Sequence, residues 1–241
     1  MKRNMRGVVA AVLVLAAAAG CVRLGFWQLD RLEQRRERNA AVRAAQALPP
    51  AALDSATFAA ASADPQGYTW RPVEAVGTYH HAGDLLLRGR GREGHPGVHL
   101  VSPLVLADGR AVMVDRGWIP AADAATADAG AFATSGAVRV HGVLRPMEAS
   151  GDRGMPAAGR AGADSTWRRI DLDVARERTP GVVLPLYLQQ IPASTDPATP
   201  PLPEPIPELS EGNHLSYAVQ WFSFATIAVV GLAILVRRSR G

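Results

Sequence analysis

Residues 218–236 read AVQWFSFATIAVVGLAILV, 19 positions without a charge, and this stretch decides the fold. At about 1.5 Å rise per residue, a helix of that length crosses a hydrocarbon core roughly 30 Å thick. Arg237, Arg238 and Arg240 follow it, whereas residues 203–217 before it contain no Lys or Arg. Cations beside a span mark its cytoplasmic side, so the C-terminus is expected in the cytoplasm.

A second apolar stretch opens the chain. GVVAAVLVLAAAAGCV, residues 7–22, carries no charge, and beyond Arg23 the apolar character resumes in LGFWQL, giving 23 residues through Leu29. Nothing between the two stretches approaches this length. The expected organisation is a cytoplasmic N-terminus (1–6), a first transmembrane helix (7–29), a periplasmic domain (30–217), a second transmembrane helix (218–236) and a cytoplasmic tail (237–241). Lys2, Arg3 and Arg6 fit a cytoplasmic N-terminus. Arg31, Arg35, Arg36 and Arg38 land outside and run against the charge rule, so the orientation rests mainly on the second helix.

The beginning of the chain has a competing reading. A basic start, an apolar centre and Ala-Ala-Gly-Cys before position 22 also resemble a lipoprotein signal that would lipidate Cys21. The small Ala18 three residues before the cysteine and the return of apolar residues after Arg23 favour an uncleaved helix. With one cysteine in 241 residues, dithiol exchange and intrachain disulfides are excluded. The net charge of +4 is concentrated beside the apolar stretches, where it suits lipid phosphates. No aromatic-basic motif accompanies Arg88, Arg90 and Arg92, so nucleic acid is not an expected partner.

Within 30–217 the periodicity changes. Residues 30–48 are rich in helix formers and stop at Pro49-Pro50, reading as a helical extension. From 68 to 191 come short β-branched runs bounded by Gly, Pro or Asp: WRPVEAVGTY, DLLLR, VHLVSPLVL, AVMVDRGW, AVRVHGVLR and VVLPLYLQQI. Asp108-Gly109 between two of them signals a tight hairpin. AADAATADA and DLDVARER read as brief helices. Seven prolines in residues 192–207 predict an extended strap that cannot pair regularly. The expected fold class is a membrane protein with two transmembrane helices flanking a mostly antiparallel β (α+β) domain.

No GxSxG, HExxH, P-loop or dinucleotide fingerprint is present. His80, His81 and Asp84, and His95 with His99, have spacings that a metal could use but fall short of a ligand set; no metal centre is expected. Three other segments stand out: GFWQLDRL (25–32), VDRGWIP (114–120) and NHLSYAVQWFSFA (213–225). In the last, Asn213, Ser216, Gln220 and Ser223 form one polar stripe, with His214, Tyr217 and Trp221 beside it. Polar groups in lipid are costly, so the stripe should face another helix, a cofactor or water. The plain alternatives are helix packing and an aromatic belt for this stretch, and a carbonyl-capping Arg116 and core-filling Trp118 for the strand.

In this order and between two helices, these segments resemble the surfeit locus protein 1 family of cytochrome c oxidase assembly factors. The similarity is close at GFWQLDRL, at LVLADGRAVMVDRGWIP and at NHLSYAVQWFSFA, and weaker through VEAVGTY and VRVHGVLRP. It implies a bacterial inner-membrane protein that assists maturation of oxidase subunit I at heme a insertion, alongside other assembly factors and without catalytic turnover. Gly25, Trp27 and Gln28, then Arg116, Gly117 and Trp118, and finally Asn213, His214, Tyr217, Gln220 and Trp221 fall on the family's motifs. For heme a, the resemblance directs attention to His214 as an axial ligand, with Tyr217, Gln220, Trp221 and Arg31 around it; the plain reading of His214 is an interfacial residue or helix cap. A membrane-anchored or lipidated scaffold with no cofactor is the alternative, and a heme-modifying enzyme ranks last because no acids, bases or ligands converge.

Overall fold

The computed structural model describes residues 2–147, 155–156, 165–192 and 199–240. It divides into two compact units, residues 1–43 with 208–241, and residues 44–207. The part of the proline strap at 193–198 lies outside the described residues.

The first unit consists of α1 (Lys2–Gln46) and α5 (His214–Arg240). α1 runs without a break through the apolar stretch and its charged extension. Both helices are long and apolar enough to cross a membrane and expose large apolar side chains such as Leu13, Ile227 and Leu235. A surface of that kind is stable in lipid and not in water. Two long apolar helices thus flank a β-rich domain in the sequence.

The two helices meet along a narrow seam. On α1 the covered positions include 11, 14, 18, 21, 25, 28 and 32; on α5 they include 214, 218, 221, 225 and 228. Alternating steps of three and four give a period of 3.5, the repeat that keeps one stripe facing a partner helix. Ala18, Ala218 and Ala225 are buried on this seam, and small residues allow close backbone approach where lipid supplies no hydrophobic drive. The helices are antiparallel: Gly25 lies against Phe222, and Arg36 pairs with Glu211 at 3.0 Å. Arg35 Nε and Asn39 Nδ2 both donate to the Ser210 carbonyl, at 3.0 and 3.1 Å.

Packing against α1 is not the role of the Asn213–Ser216–Gln220–Ser223 stripe. Ser216, Gln220 and Ser223 are exposed, while His214 and Ala218 take the seam. Ser223 and Thr226 satisfy their hydroxyls on the carbonyls four residues back, Val219 and Phe222, at 2.8 and 2.9 Å, a bond available to short hydroxyls inside lipid.

Gly25 has a specific steric reason. A Cβ there would fall 2.6 Å from a ring carbon of Phe222, which also stacks edge-to-face on Phe26 at 5.3 Å. Gly25→Val should therefore lower the melting temperature of the detergent-solubilised protein, at a cost of about 1–3 kcal/mol. Phe222→Ala in the same chain should recover most of the loss, and a melting series over the four proteins measures the coupling.

The second unit is a small barrel. Its strands are β1 (Ala51–Ala52), β2 (Pro72–Tyr79), β3 (Leu85–Arg92), β4 (His95–Leu106), β5 (Ala111–Pro120), β6 (Ala137–Pro146), β7 (Met155–Pro156), β8 (Ser165–Trp167) and β9 (Val183–Gln190); its helices are α2 (Ser55–Ala63), α3 (Pro65–Tyr68) and α4 (Leu172–Arg178). All six β-branched runs of the sequence form strands. β2, β4 and β5 lie side by side and β6 returns beside β2, a Greek key; β9 then pairs with both β6 and β5, so the ring closes. Most pairings are antiparallel, but β5 with β9, β1 with β2 and β3 with β8 run parallel. Closure gives β2, β4, β5, β6 and β9 partners on both sides, while β1 and β7 end the sheet.

Val73, Ala75, Leu104, Val112, Val114, Leu144, Leu184 and Leu186 fill the barrel, with Phe58 and Ala61 of α2 packed against them. A second apolar cluster, containing Leu87, Met113, Trp167 and Ile170, includes Ala175 of α4. β5 is therefore buried along nearly its whole length, which explains its continuous apolar run. The Asp108-Gly109 hairpin forms as expected, with Gly109 at φ 81° and its N–H donating to the Leu106 carbonyl at 3.0 Å. One local expectation fails. AADAATADA is a turn followed by irregular chain and a short 3-10 segment at Ala129–Phe132, because Asp123 and Asp128 accept from backbone N–H groups just ahead of them and so favour turns over helix.

Candidate functional site

Two constellations hold the family-motif residues, one in each unit. In the helical unit, His214 opens α5 and is half-buried; its Nδ1 lies 2.9 Å from Gln28 Oε1 on α1. An amide oxygen only accepts, so Nδ1 is the donor in this pair, and in the neutral ring Nε2 would then hold the lone pair. That is the tautomer of a metal-ligating histidine, oriented by a hydrogen bond to its other nitrogen. Asn213 precedes the helix, and its carbonyl accepts from the Tyr217 N–H at 3.0 Å, the position of a cap residue. Trp221 sits partly on the seam, edge-on to Phe224 at 5.9 Å. Tyr217 and Gln220 are exposed.

Trp27 and Arg31 pair with each other, the guanidinium carbon 5.5 Å from the ring centroid, and Arg31 Nη1 donates to Gln34 at 3.0 Å. Of the residues named from the sequence, the structure joins Gln28 to His214 directly. The donor set here fits a heme group to this extent: an imidazole whose Nδ1 is engaged by Gln28, on the same helix as the Tyr217 phenol and the Trp221 indole.

In the β unit, Arg116 occupies a bulge. Leu100 pairs with Gly117 and Val101 with Asp115, leaving Arg116 as the extra residue, and bulges re-aim the side chain they carry. Its guanidinium is buried, lies 4.6 Å from the Tyr79 ring centroid, and donates to the Phe132 carbonyl at 2.8 Å and Thr134 Oγ1 at 3.2 Å. Burial pushes the Tyr79 phenol up to about 12 even against this cation. Arg116 thus caps carbonyls, and Trp118 is buried, as the plain reading of each supposes.

Gly117 and Trp118 hold the strap. Trp118 exchanges backbone hydrogen bonds with Leu202 at 2.9 and 2.8 Å. Leu202 lies between Pro201 and Pro203, so it can offer the N–H that its neighbours lack. Gly117 has φ 110°, and a side chain there would collide with the Leu202 carbonyl. One feature has no signal in the sequence: buried His99 lies between Asp115, 3.0 Å from Nδ1, and Glu204 of the strap, 3.1 Å from Nε2. Glu204 is 105 residues away in the chain, and no spacing pattern foretells the contact. His81 instead pairs with Asp84 at 3.1 Å, so the histidines considered for a metal diverge; no three His, Cys, Asp or Glu among the described residues are arranged to hold one.

Burial alone would lower His99, but the Asp115 and Glu204 carboxylates outweigh it and raise the imidazole to about 9, while His99 holds Glu204 below the usual carboxylate range. Because the folded value lies above the ordinary 6.5, this contribution is fully present below pH 6.5 and lost as pH rises through about 9. Its upper bound is on the order of 3 kcal/mol. Thermal melts of the wild type should therefore weaken between pH 7 and 10 more than those of His99→Gln; parallel pH curves would refute the ion-pair role.

Comparison with known proteins agrees with this layout. The SURF1 family model matches residues 15–226. A SURF1-like protein of Monosiga brevicollis is 29% identical over 230 residues, spanning 90% of this chain and 84% of its own. An uncharacterized SURF1-like protein of Mycobacterium bovis and one of Mycobacterium tuberculosis are each 28% identical over 226 residues, spanning 92% of this chain and 80% of theirs. With the match running from the first apolar helix, through the barrel and its bulge, into the second, the chain belongs to the SURF1 family.

Proposed function

We propose that this protein is a biogenesis factor for cytochrome c oxidase, assisting the maturation of subunit I in the bacterial inner membrane at the stage of heme a insertion, alongside other assembly factors. Family membership supports the assembly role, and the observation that carries the heme reading is the Gln28–His214 pair. A histidine at the mouth of an apolar helix pair, with Nδ1 engaged by Gln28, leaves Nε2 as the ring nitrogen that would meet a metal centre. When bound, heme would supply an iron atom that takes an imidazole ligand. The chain's residues would bind and shelter it: His214 as ligand, Gln28 as the group that fixes its tautomer, Trp221 and Tyr217 as walls, and Arg31 as a cation for a propionate. Among the described residues no acid, base and nucleophile come together on this seam, and we read the protein as a chaperone without catalytic turnover of its own.

Deleting the gene from an oxidase-producing host should remove most a-type heme absorbance from the membranes and leave b-type cytochromes in place. Restoration by a plasmid copy completes the test; unchanged a-type heme would refute the assembly role. The alternative, a scaffold without cofactor, predicts the same loss but a colourless purified protein.

The proposed orientation places both termini in the cytoplasm and the barrel in the periplasm, from the cation-free approach to α5 and the arginines that end it. An alkaline phosphatase fused after Gly241 should be silent and a cytoplasmic reporter active. The reverse pattern would overturn the topology. Cys21, inside α1, is read as a small apolar group, so Cys21→Ser should leave mobility and membrane retention unchanged.

A further inference from the structure

The polar stripe of α5 serves neither the helix pair nor the heme reading. Ser216, Gln220 and Ser223 are exposed, on the side of α5 away from the seam with α1. Alternating steps of four and three carry the stripe inward through Ile227, Val230 and Ile234, all exposed. This is again a period of 3.5, which keeps one stripe facing one neighbouring helix along its whole length. α5 thus presents two stripes on opposite sides, and α1 covers one of them.

The open stripe changes character with depth. Its inner half is β-branched, and its outer half carries two hydroxyls and an amide. Ser223 returns its hydroxyl to the Val219 carbonyl at 2.8 Å. Gln220 has no such outlet: among the described residues no hydrogen bond reaches its amide. Lipid tails offer an amide neither donor nor acceptor, and polar side chains within spans bond across to other helices. The chemistry of the stripe also selects the neighbour. An amide both donates and accepts, so two Gln220 side chains at one depth can exchange a reciprocal pair of hydrogen bonds. A two-fold axis along the membrane normal sets them at one depth, with the serines a turn to either side and the β-branched residues meeting farther in. No charge on the stripe opposes such a pairing. The outer face of α1 is different, because Arg23 is exposed there and like pairing would set cation against cation in lipid.

We infer that the protein forms a parallel homodimer through this face of α5, with Gln220 bonded to Gln220 of the partner subunit. One polar side chain in an otherwise apolar seam fixes register and the number of chains. The pairing leaves His214 and the α1 seam on the other side of α5, so it does not depend on heme and is measurable in cells that make none.

The test uses the full chain in native membranes of a host without heme a, in a Cys21→Ser background. Single cysteines are introduced as Ser216→Cys, Ser223→Cys or Ile227→Cys and oxidised with copper phenanthroline. Each should give a disulfide-linked dimer, whereas Leu215→Cys and Thr226→Cys, exposed on another side of α5, should stay monomeric. Gln220→Leu should weaken association about tenfold, the loss of two interhelical hydrogen bonds. Dilution of labelled chains in phosphatidylcholine vesicles reads this as the lipid content that halves energy transfer. Gln220→Asn keeps the amide and should keep most of the affinity. Cross-links at the stripe no stronger than at Leu215 or Thr226, or equal dissociation of wild type and Gln220→Leu, would overturn the inference. So would cross-linking of the stripe to a different polypeptide without any dimer of this chain, which would assign the stripe to another protein's helix.

Discussion

Replacing Gly117 with alanine should destabilise the β domain by about 2–4 kcal/mol. Two costs combine. At φ 110° a side chain enters backbone space essentially restricted to glycine, at about 1–3 kcal/mol. The new Cβ also collides with the Leu202 carbonyl, which must withdraw and break the hydrogen-bond pair between Trp118 and the strap. At about 2–4 °C per kcal/mol for a domain of this size, the melting temperature should fall by roughly 5–15 °C. Gly109→Ala is the useful comparison. It also has positive φ, 81°, but nothing lies near its missing Cβ, so it carries only the backbone cost. If both variants melt alike, the strap contact is not what Gly117 serves.

This comparison explains why a glycine between Arg116 and Trp118 matters, which its motif alone does not. The motif sits where a bulge, a buried cation and a docking strap coincide. Arg116 ties β5 to the 132–134 segment, Gly117 admits the strap, and Trp118 pairs with it. Changes at any of the three should therefore act mainly through stability of the β domain.

Much of this architecture is legible in the sequence because it rests on local pattern. Uncharged runs of helix-spanning length announce α1 and α5. Short β-branched runs between Gly, Pro and Asp announce β2 to β6 and β9, and Asp108-Gly109 marks its own hairpin. The seam was less visible: in lipid every face of a helix is apolar, so a repeat of small residues at 18, 25, 218 and 225 has little contrast against its surroundings. The polar stripe from Asn213 to Ser223 has more contrast in the sequence, yet Ser216, Gln220 and Ser223 are exposed and Ser223 bonds within α5. Barrel closure and the Asp115–His99–Glu204 arrangement depend on contacts between residues far apart in the chain, which no local period encodes. AADAATADA shows the converse. Alanine content favours helix, but its aspartates capture backbone N–H groups and make turns.

Of the candidate heme residues, Gln28 and His214 gain most from the structure. Their side chains are 186 positions apart in sequence and meet at 2.9 Å. Gln28→Leu should weaken any heme signal rather than abolish it, since loss of a group that orients a metal-bound histidine costs about 10–100-fold in affinity. His214→Ala removes the donor itself and should have the larger effect. A variant at His141, exposed on β6 of the barrel, should have none.

The decisive measurement is the visible spectrum of the detergent-purified protein from cells that make heme a, taken on wild type, His214→Ala and His141→Ala side by side. A Soret band of heme a character should appear in the wild type and in His141→Ala, and be lost or blue-shifted in His214→Ala while that protein stays folded and in the membrane fraction. Equal heme a bands in all three proteins, or no pigment in the wild type, would contradict the assignment of His214 as the ligand that presents this family member to its cofactor.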